Sequence, residues 1–189
     1  MTPSFELDHA KLANDPRFSA VAEELSRFSP IDSPETFNRY CGEACRIWRE
    51  QFPTNLGTVS RFPELRQQID SGTRDVIKTL WGGVVITLHQ HPRIEKFLVV
   101  QQGRYLALEK HEQKDEHLEV SEGAGLLLWR KSQRAPLAVD VLAAGNRFHL
   151  QPGMEHCLIG TEDLLVFERS TDPKGMDQDL IFIFEPRTA

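Results

Sequence analysis

The sequence predicts a mostly-β fold, an antiparallel barrel or sandwich, preceded by an α-helical extension. Two observations predict it. From Asp75 onward, short apolar runs alternate with turn signals, at 84–88, 97–100, 105–108, 118–120, 125–129, 137–142, 148–150, 164–167 and 180–184. Such even spacing is the signature of antiparallel all-β architectures. Before Asp75 the apolar residues instead recur at helical intervals. The expected organisation is a helical segment over residues 1–74, packed on the outside of a barrel over residues 75–189 or extending into a dimer interface. A segment this short would have a thin core of its own.

Asp15 and Pro16, followed by Phe18, Val21, Ala22, Leu25 and Phe28, predict a first helix capped by the aspartate and ended by Ser29 and Pro30. Ser33 and Pro34 open a second with the same signature. Its apolar stripe runs through Phe37, Tyr40, Cys41, Ala44, Cys45, Ile47 and Trp48 until Pro53. A shorter helix follows Pro63 and ends near Ser71 and Gly72.

Composition narrows the partners. The chain has 189 residues, 40% hydrophobic and 26% charged, with net charge -6. That is a soluble, globular composition without the basic surface that nucleic acid requires. No secretory leader and no apolar run of about 20 residues is visible, so no membrane span and a cytoplasmic location are expected. The three cysteines, Cys41, Cys45 and Cys157, read as reduced thiols.

Possible metal ligands concentrate between Gly103 and Gly123. Alternation from Gly103 to His111 places Tyr105, Ala107, Glu109 and His111 on one face and Leu106 and Leu108 on the other. After a polar turn, Glu116, Leu118 and Val120 share a face. Pro152 and Gly153 form a strong turn signal that delivers His156 to the next apolar run. Glu109, His111, Glu116 and His156 are thus candidate ligands; two neutral imidazoles and two carboxylates balance a first-row dication such as Zn, Mn, Fe, Ni or Co. Tyr105, on the ligand face, and Gln113 are candidate substrate contacts. His117 is a third, either orienting a ligand from behind or standing as an exposed turn residue. Arg130, Lys131 and Arg134 read as a solvated basic loop, and His149 as a satisfied histidine.

The spacing of Gly103, Glu109, His111, Glu116 and Gly123 resembles the first cupin motif, with Glu109 where a histidine usually stands. Gly145, Gly153 and His156 resemble the second. Within the cupins the likeness is to type II phosphomannose isomerase and the cupin domain of mannose-1-phosphate guanylyltransferases. It rests on residues 78–82, on Glu109, His111, Glu116 and His117, and on 164–169 with 175–182, and it covers roughly residues 78 to 187. A rival register, with His89, His91 and Glu95 joining His156, has two true histidines, but its glutamate-to-glycine gap is one residue too long.

The resemblance implies a single cupin, a double-stranded β-helix or jelly-roll-like barrel, working as a homodimer. It also implies a divalent metal ion and a small-molecule substrate, a sugar or sugar phosphate, for aldose–ketose isomerisation. The family's arginine-containing terminal segment is replaced by Ile181 to Pro186, which weakens the case for phosphomannose itself. The same ligand set suits an Fe(II)-dependent dioxygenase. A non-catalytic small-molecule-binding module is the third reading.

Overall fold

The computed structural model describes residues 4–187. In chain order the elements are β1 (Leu7–Asp8), α1 (Ala10–Asn14), α2 (Ser19–Ser26), α3 (Pro34–Gln51), α4 (Phe62–Ser71), β2 (Val76–Thr79), β3 (Gly82–Gln90), β4 (Arg93–Val100), β5 (Arg104–Tyr105), β6 (Leu108–His111), β7 (Asp115–Glu122), β8 (Ala124–Arg130), β9 (Leu137–Ala143), β10 (Arg147–Leu150), β11 (Glu155–Gly160), β12 (Leu164–Thr171) and β13 (Leu180–Phe184). The strands form two sheets, ordered β1-β9-β8-β11-β6-β13, with β5 also on β11, and β10-β7-β12-β4-β3-β2.

Strand parity builds three apolar layers. Between the sheets lie Leu98, Val100, Leu118, Val120, Leu127, Leu158, Leu164 and Val166, each on the inward face of its strand. The residues between them face outward. Leu126, Leu128, Cys157 and Ile159 pack under α3, and Phe97, Val99 and Leu165 pack under α4. Helices thus cover part of each outer face. That is why β8 reads as an unbroken apolar run rather than an alternation.

The second and third helices follow their sequence signals. Ser33 caps α3, its hydroxyl accepting the Thr36 N–H at 3.2 Å, with Pro34 in the first turn. Gly72 closes α4 in the left-handed conformation at φ 66°. The first helix departs from expectation. The expected helix is α2, which starts at Ser19 rather than at Pro16; a separate short helix, α1, precedes it, and Asp15 ends α1 rather than capping α2. Its carboxylate instead accepts the Arg17 N–H and the Arg17 guanidinium, folding residues 15–18 into a turn.

A second departure matters for the site. The run 105–108 is not one strand: pairing breaks at Leu106 and Ala107, between β5 and β6. The break reverses the alternation. Leu106 faces the barrel interior and Tyr105 the helical layer, while Glu109 and His111 still face inward.

Gly123, at φ 79°, sits where an added Cβ would lie 1.8 Å from the Asp163 carbonyl oxygen, so only glycine fits. The neighbouring Glu122 carboxylate accepts the N–H groups of Ser60, Arg61 and Phe62, tying the start of α4 to the barrel.

Trp48 joins helices to barrel. It is fully buried, stacks on Phe18 at 5.4 Å and donates its indole N–H to Glu162 at 3.2 Å. Trp48→Ala is expected to lower stability by about 3–5 kcal/mol. In denaturant the variant should still unfold in one transition, seen at the same midpoint by circular dichroism and by fluorescence.

Candidate functional site

The inward faces of the strands carry more than leucine and valine. Parity continues from Leu98 to Lys96 on β4, from Leu118 to Glu116 on β7, and from Val166 to Glu168 on β12. Glu109 and His111 enter from β6 and His156 from β11, where His156 lies directly opposite Glu109. These groups line a pocket of about 210 Å³ at one end of the barrel. Thr79 also opens on it, and its Oγ1 is buried without a hydrogen-bond partner among the described residues.

At the pocket floor lies the ammonium of Lys114, which is 1% exposed. Its Nζ is 2.6 Å from Glu116 Oε1, 2.7 Å from Glu168 Oε1 and 2.6 Å from Asp177 Oδ1. Lys96 Nζ completes the network, 3.4 Å from Glu168 and 2.6 Å from Asp177. Burial works against all these charges. The three carboxylates nonetheless outweigh it and hold the Lys114 amine well above its usual range. Conversely, Lys96 and Lys114 keep the Asp177 carboxyl far below the ordinary carboxylate range. Asp177 enters from a loop in which it and Met176 have φ of 61° and 48°, a left-handed conformation rare outside glycine.

The two histidines are oriented from behind. His111 Nδ1 meets Asp179 Oδ1 at 2.8 Å, and the Asp179 carboxylate also accepts the N–H groups of Gln113 and Lys114. His156 Nδ1 faces the Met154 carbonyl at 3.3 Å. In the neutral tautomer these contacts select, both Nε2 lone pairs point into the pocket, as in metal sites whose histidines donate from the other ring nitrogen. They face one carboxylate. His111 Nε2 is 3.7 Å from Glu116 Oε1, and His156 Nε2 is 3.5 Å from Glu116 Oε2. These distances are too long for strong hydrogen bonds. Burial lowers the pKa of His156, partly offset by Glu116, which favours the neutral ring.

Glu109 differs from its neighbours. No ammonium pairs with it among the described residues, and burial, then Glu116 and Asp177, push its carboxyl up to about 8. The donor set fits a dication. With Glu109 ionised, the carboxylates of Glu109, Glu116, Glu168 and Asp177 exceed the ammoniums of Lys96 and Lys114 by two charges, and two neutral imidazoles complete a mixed nitrogen and oxygen set.

Glu109, His111, Glu116 and His156, the candidate ligands of the later register, all line this pocket. The rival register does not reach the pocket: His89 and His91 lie exposed at the β3–β4 turn, and Glu95 sits near Arg93 and Arg169. The three expected substrate contacts are corrected. Tyr105, turned by the break before β6, packs edge-on against Phe37 and donates its hydroxyl to Asn38. Gln113 is exposed, its backbone alone contributing through Asp179. His117 lies outside the barrel beside Asp115. Arg130 is likewise no loop residue, being buried and paired with Glu155. A larger groove of about 960 Å³ is lined by α1, Trp48 and Asp140, but no comparable set of ionisable groups converges there among the described residues.

Known protein families and curated proteins give no match to this sequence. Solved structures do. The capsular polysaccharide assembling protein CapF from Staphylococcus aureus superposes with a TM-score of 0.51 at 15% identity, over 58% of this chain and 31% of that one. CapF bound to the inhibitor 3-isopropenyl-tropolone gives 0.51 at 14% identity, over 58% and 34%. The fold is that of a cupin. KdgF from Halomonas aligns less well, with a TM-score of 0.43 at 20% identity, over 50% of this chain and 81% of that one. The chain spans about a third of the length of CapF, and at these identities the likeness concerns fold alone.

Lys96, Glu168, Asp177 and Asp179 are not singled out by sequence reasoning, which marks Lys114 only as a neighbour of the candidate ligands. Inward parity with Leu98 and with Val166 was the available signal for Lys96 and Glu168. Lys114→Met would leave buried Glu116 without an ammonium, and Glu168 and Asp177 with Lys96 alone, and is expected to cost about 3–5 kcal/mol, read by denaturant unfolding. For Glu109 the pH dependence has a definite sign. Its folded pKa, about 8, exceeds the ordinary 4.5, so from pH 4.5 to 8 the folded state binds more protons than the unfolded state and this group makes stability fall as pH rises. In metal-free protein, Glu109→Gln should therefore raise the melting temperature at pH 8 while changing it little at pH 4.

Proposed function

We propose that this cupin is a divalent-metal-dependent enzyme whose barrel pocket holds the ion with His111, His156, Glu116 and Glu109, and that it interconverts a small aldose and ketose. One observation carries the metal assignment. Two imidazole lone pairs, each fixed from its far side, face the two oxygens of the same buried carboxylate, an arrangement of acceptors against acceptors that a cation between them would relieve. A bound divalent ion would polarise a substrate carbonyl and stabilise negative charge on its oxygen.

The remaining roles belong to the chain. Lys114 and Lys96 hold Glu116, Glu168 and Asp177 in place and cancel part of their charge. Thr79 offers an unpaired hydroxyl at the pocket wall for a substrate hydroxyl or carbonyl. Glu109, the carboxylate without an ammonium, is the group available either to ligate or to carry the proton exchanged between adjacent carbons. Both pocket ammoniums are already paired with carboxylates. The charge balance therefore favours an uncharged sugar over a sugar phosphate.

A second reading rests on the mouth of the pocket, where Ile77 and Phe182 are exposed apolar side chains. Two histidines and a carboxylate beneath an apolar entrance also suit an Fe(II)-dependent dioxygenase.

Metal analysis and reconstitution with Mn, Fe, Zn, Ni or Co test the first step. The reading predicts that His111→Ala and His156→Ala each weaken metal binding in the barrel by tenfold or more, and that the loaded protein converts an aldose to its ketose without oxygen. Metal binding unchanged in both variants would contradict the metal assignment. Oxygen consumption without isomerisation would replace the isomerase by the dioxygenase. In Glu109→Gln, weakened metal binding identifies a ligand, whereas lost turnover with metal retained identifies the proton carrier.

A further inference from the structure

The strand that sends Glu116 into the barrel carries Asp115 and His117 on its opposite face. By strand parity these two share the outer surface of β7. On the edge strand β10, His149 lies directly opposite His117 in the antiparallel register. The two rings stack with centroids 4.1 Å apart and planes 12° from parallel. Asp115 sits at their Nε2 ends, its oxygens 2.9 and 3.0 Å from His149 Nε2, and 3.3 Å from His117 Nε2.

One donor atom from each of these three residues lies within 4.8 Å of the others, and no second group this tight occurs among the described residues. Both histidines are exposed, so hydration alone would satisfy them separately. Their convergence on one carboxylate from two strands calls for another account. We infer that Asp115, His117 and His149 form a second, surface site for a borderline first-row dication such as Zn²⁺, Ni²⁺ or Cu²⁺.

Two imidazole nitrogens and one carboxylate oxygen supply three ligands and leave a position for water or an external ligand. Cross-strand pairing supplies the preorganisation: the register fixes the spacing of the two histidines, and turning the stacked rings about their side-chain bonds would bring both lone pairs to one ion. Beside the site runs an open cleft of about 670 Å³, flanked by Arg147, Phe148 and Arg169. The cleft gives an external ligand access to the free position.

This inference does not rest on the barrel metal, and its test keeps the two apart. ZnCl₂ and NiCl₂ are titrated calorimetrically into the full chain, with His117→Ala, His149→Ala and His156→Ala alongside. His117→Ala and His149→Ala should each weaken one binding event by tenfold or more without shifting the melting temperature of the metal-free protein, since both side chains are exposed. His156→Ala should leave that event intact. Asp115→Asn should reproduce the loss in weaker form while keeping both imidazoles. Changes of less than tenfold in both histidine variants would overturn the surface site, whatever the barrel binds.

Discussion

The candidate site depends on the burial of Lys114. An ammonium taken out of water is costly, and three carboxylates on two strands and a loop surround it at 2.6 to 2.7 Å. The cluster links β7, β12 and the loop carrying Asp177, and Lys96 extends it to β4. Glu116 is thereby held as a carboxylate in the barrel interior, the Lys114 ammonium opposing the burial that would raise its pKa. The same carboxylate is the one both histidines face. The ion-pair network and the metal candidate thus share a group, and loss of the first would disarrange the second.

The barrel supports this charged floor because its apolar layers are segregated by parity. One face of each strand fills the inter-sheet core and then, toward one end, changes to charged residues. The other face of β8 and β11 is sealed by α3, and that of β3 and β4 by α4. Glu162 and Glu122 secure that seal, each accepting several N–H groups from the segment between α3 and α4. With α3 and α4 packed on parts of the two outer faces, the exposed side chains of the pocket lining, Ile77 and Phe182, mark its mouth.

Much of this was legible in the sequence because the signals were local. Ser33 with Pro34, and Gly72 after a short stripe, set α3 and the end of α4. Alternation put Glu109, His111 and Glu116 on inward faces, and the Pro152–Gly153 turn delivered His156. What escaped had non-local causes. Asp15 looked like a cap but found Arg17 two residues on. Tyr105 was misplaced because a break in pairing, invisible in the residue pattern, reversed the strand face. Lys114 lies in a stretch that reads as a polar turn, Asp177 lies some sixty residues on in a loop before β13, and only the fold brings them together. Arg130 read as loop because its partner, Glu155, lies across the sheet on β11.

The most direct test is anomalous diffraction from crystals of the full chain equilibrated with Mn²⁺ or Zn²⁺. The account predicts a peak inside the barrel at bonding distance, about 2.0–2.2 Å, from Nε2 of both His111 and His156 and from a Glu116 oxygen, with Lys114 still paired to Glu168 and Asp177. A barrel with no peak under conditions that fill the surface histidines, or with either imidazole turned away from the ion, would contradict it.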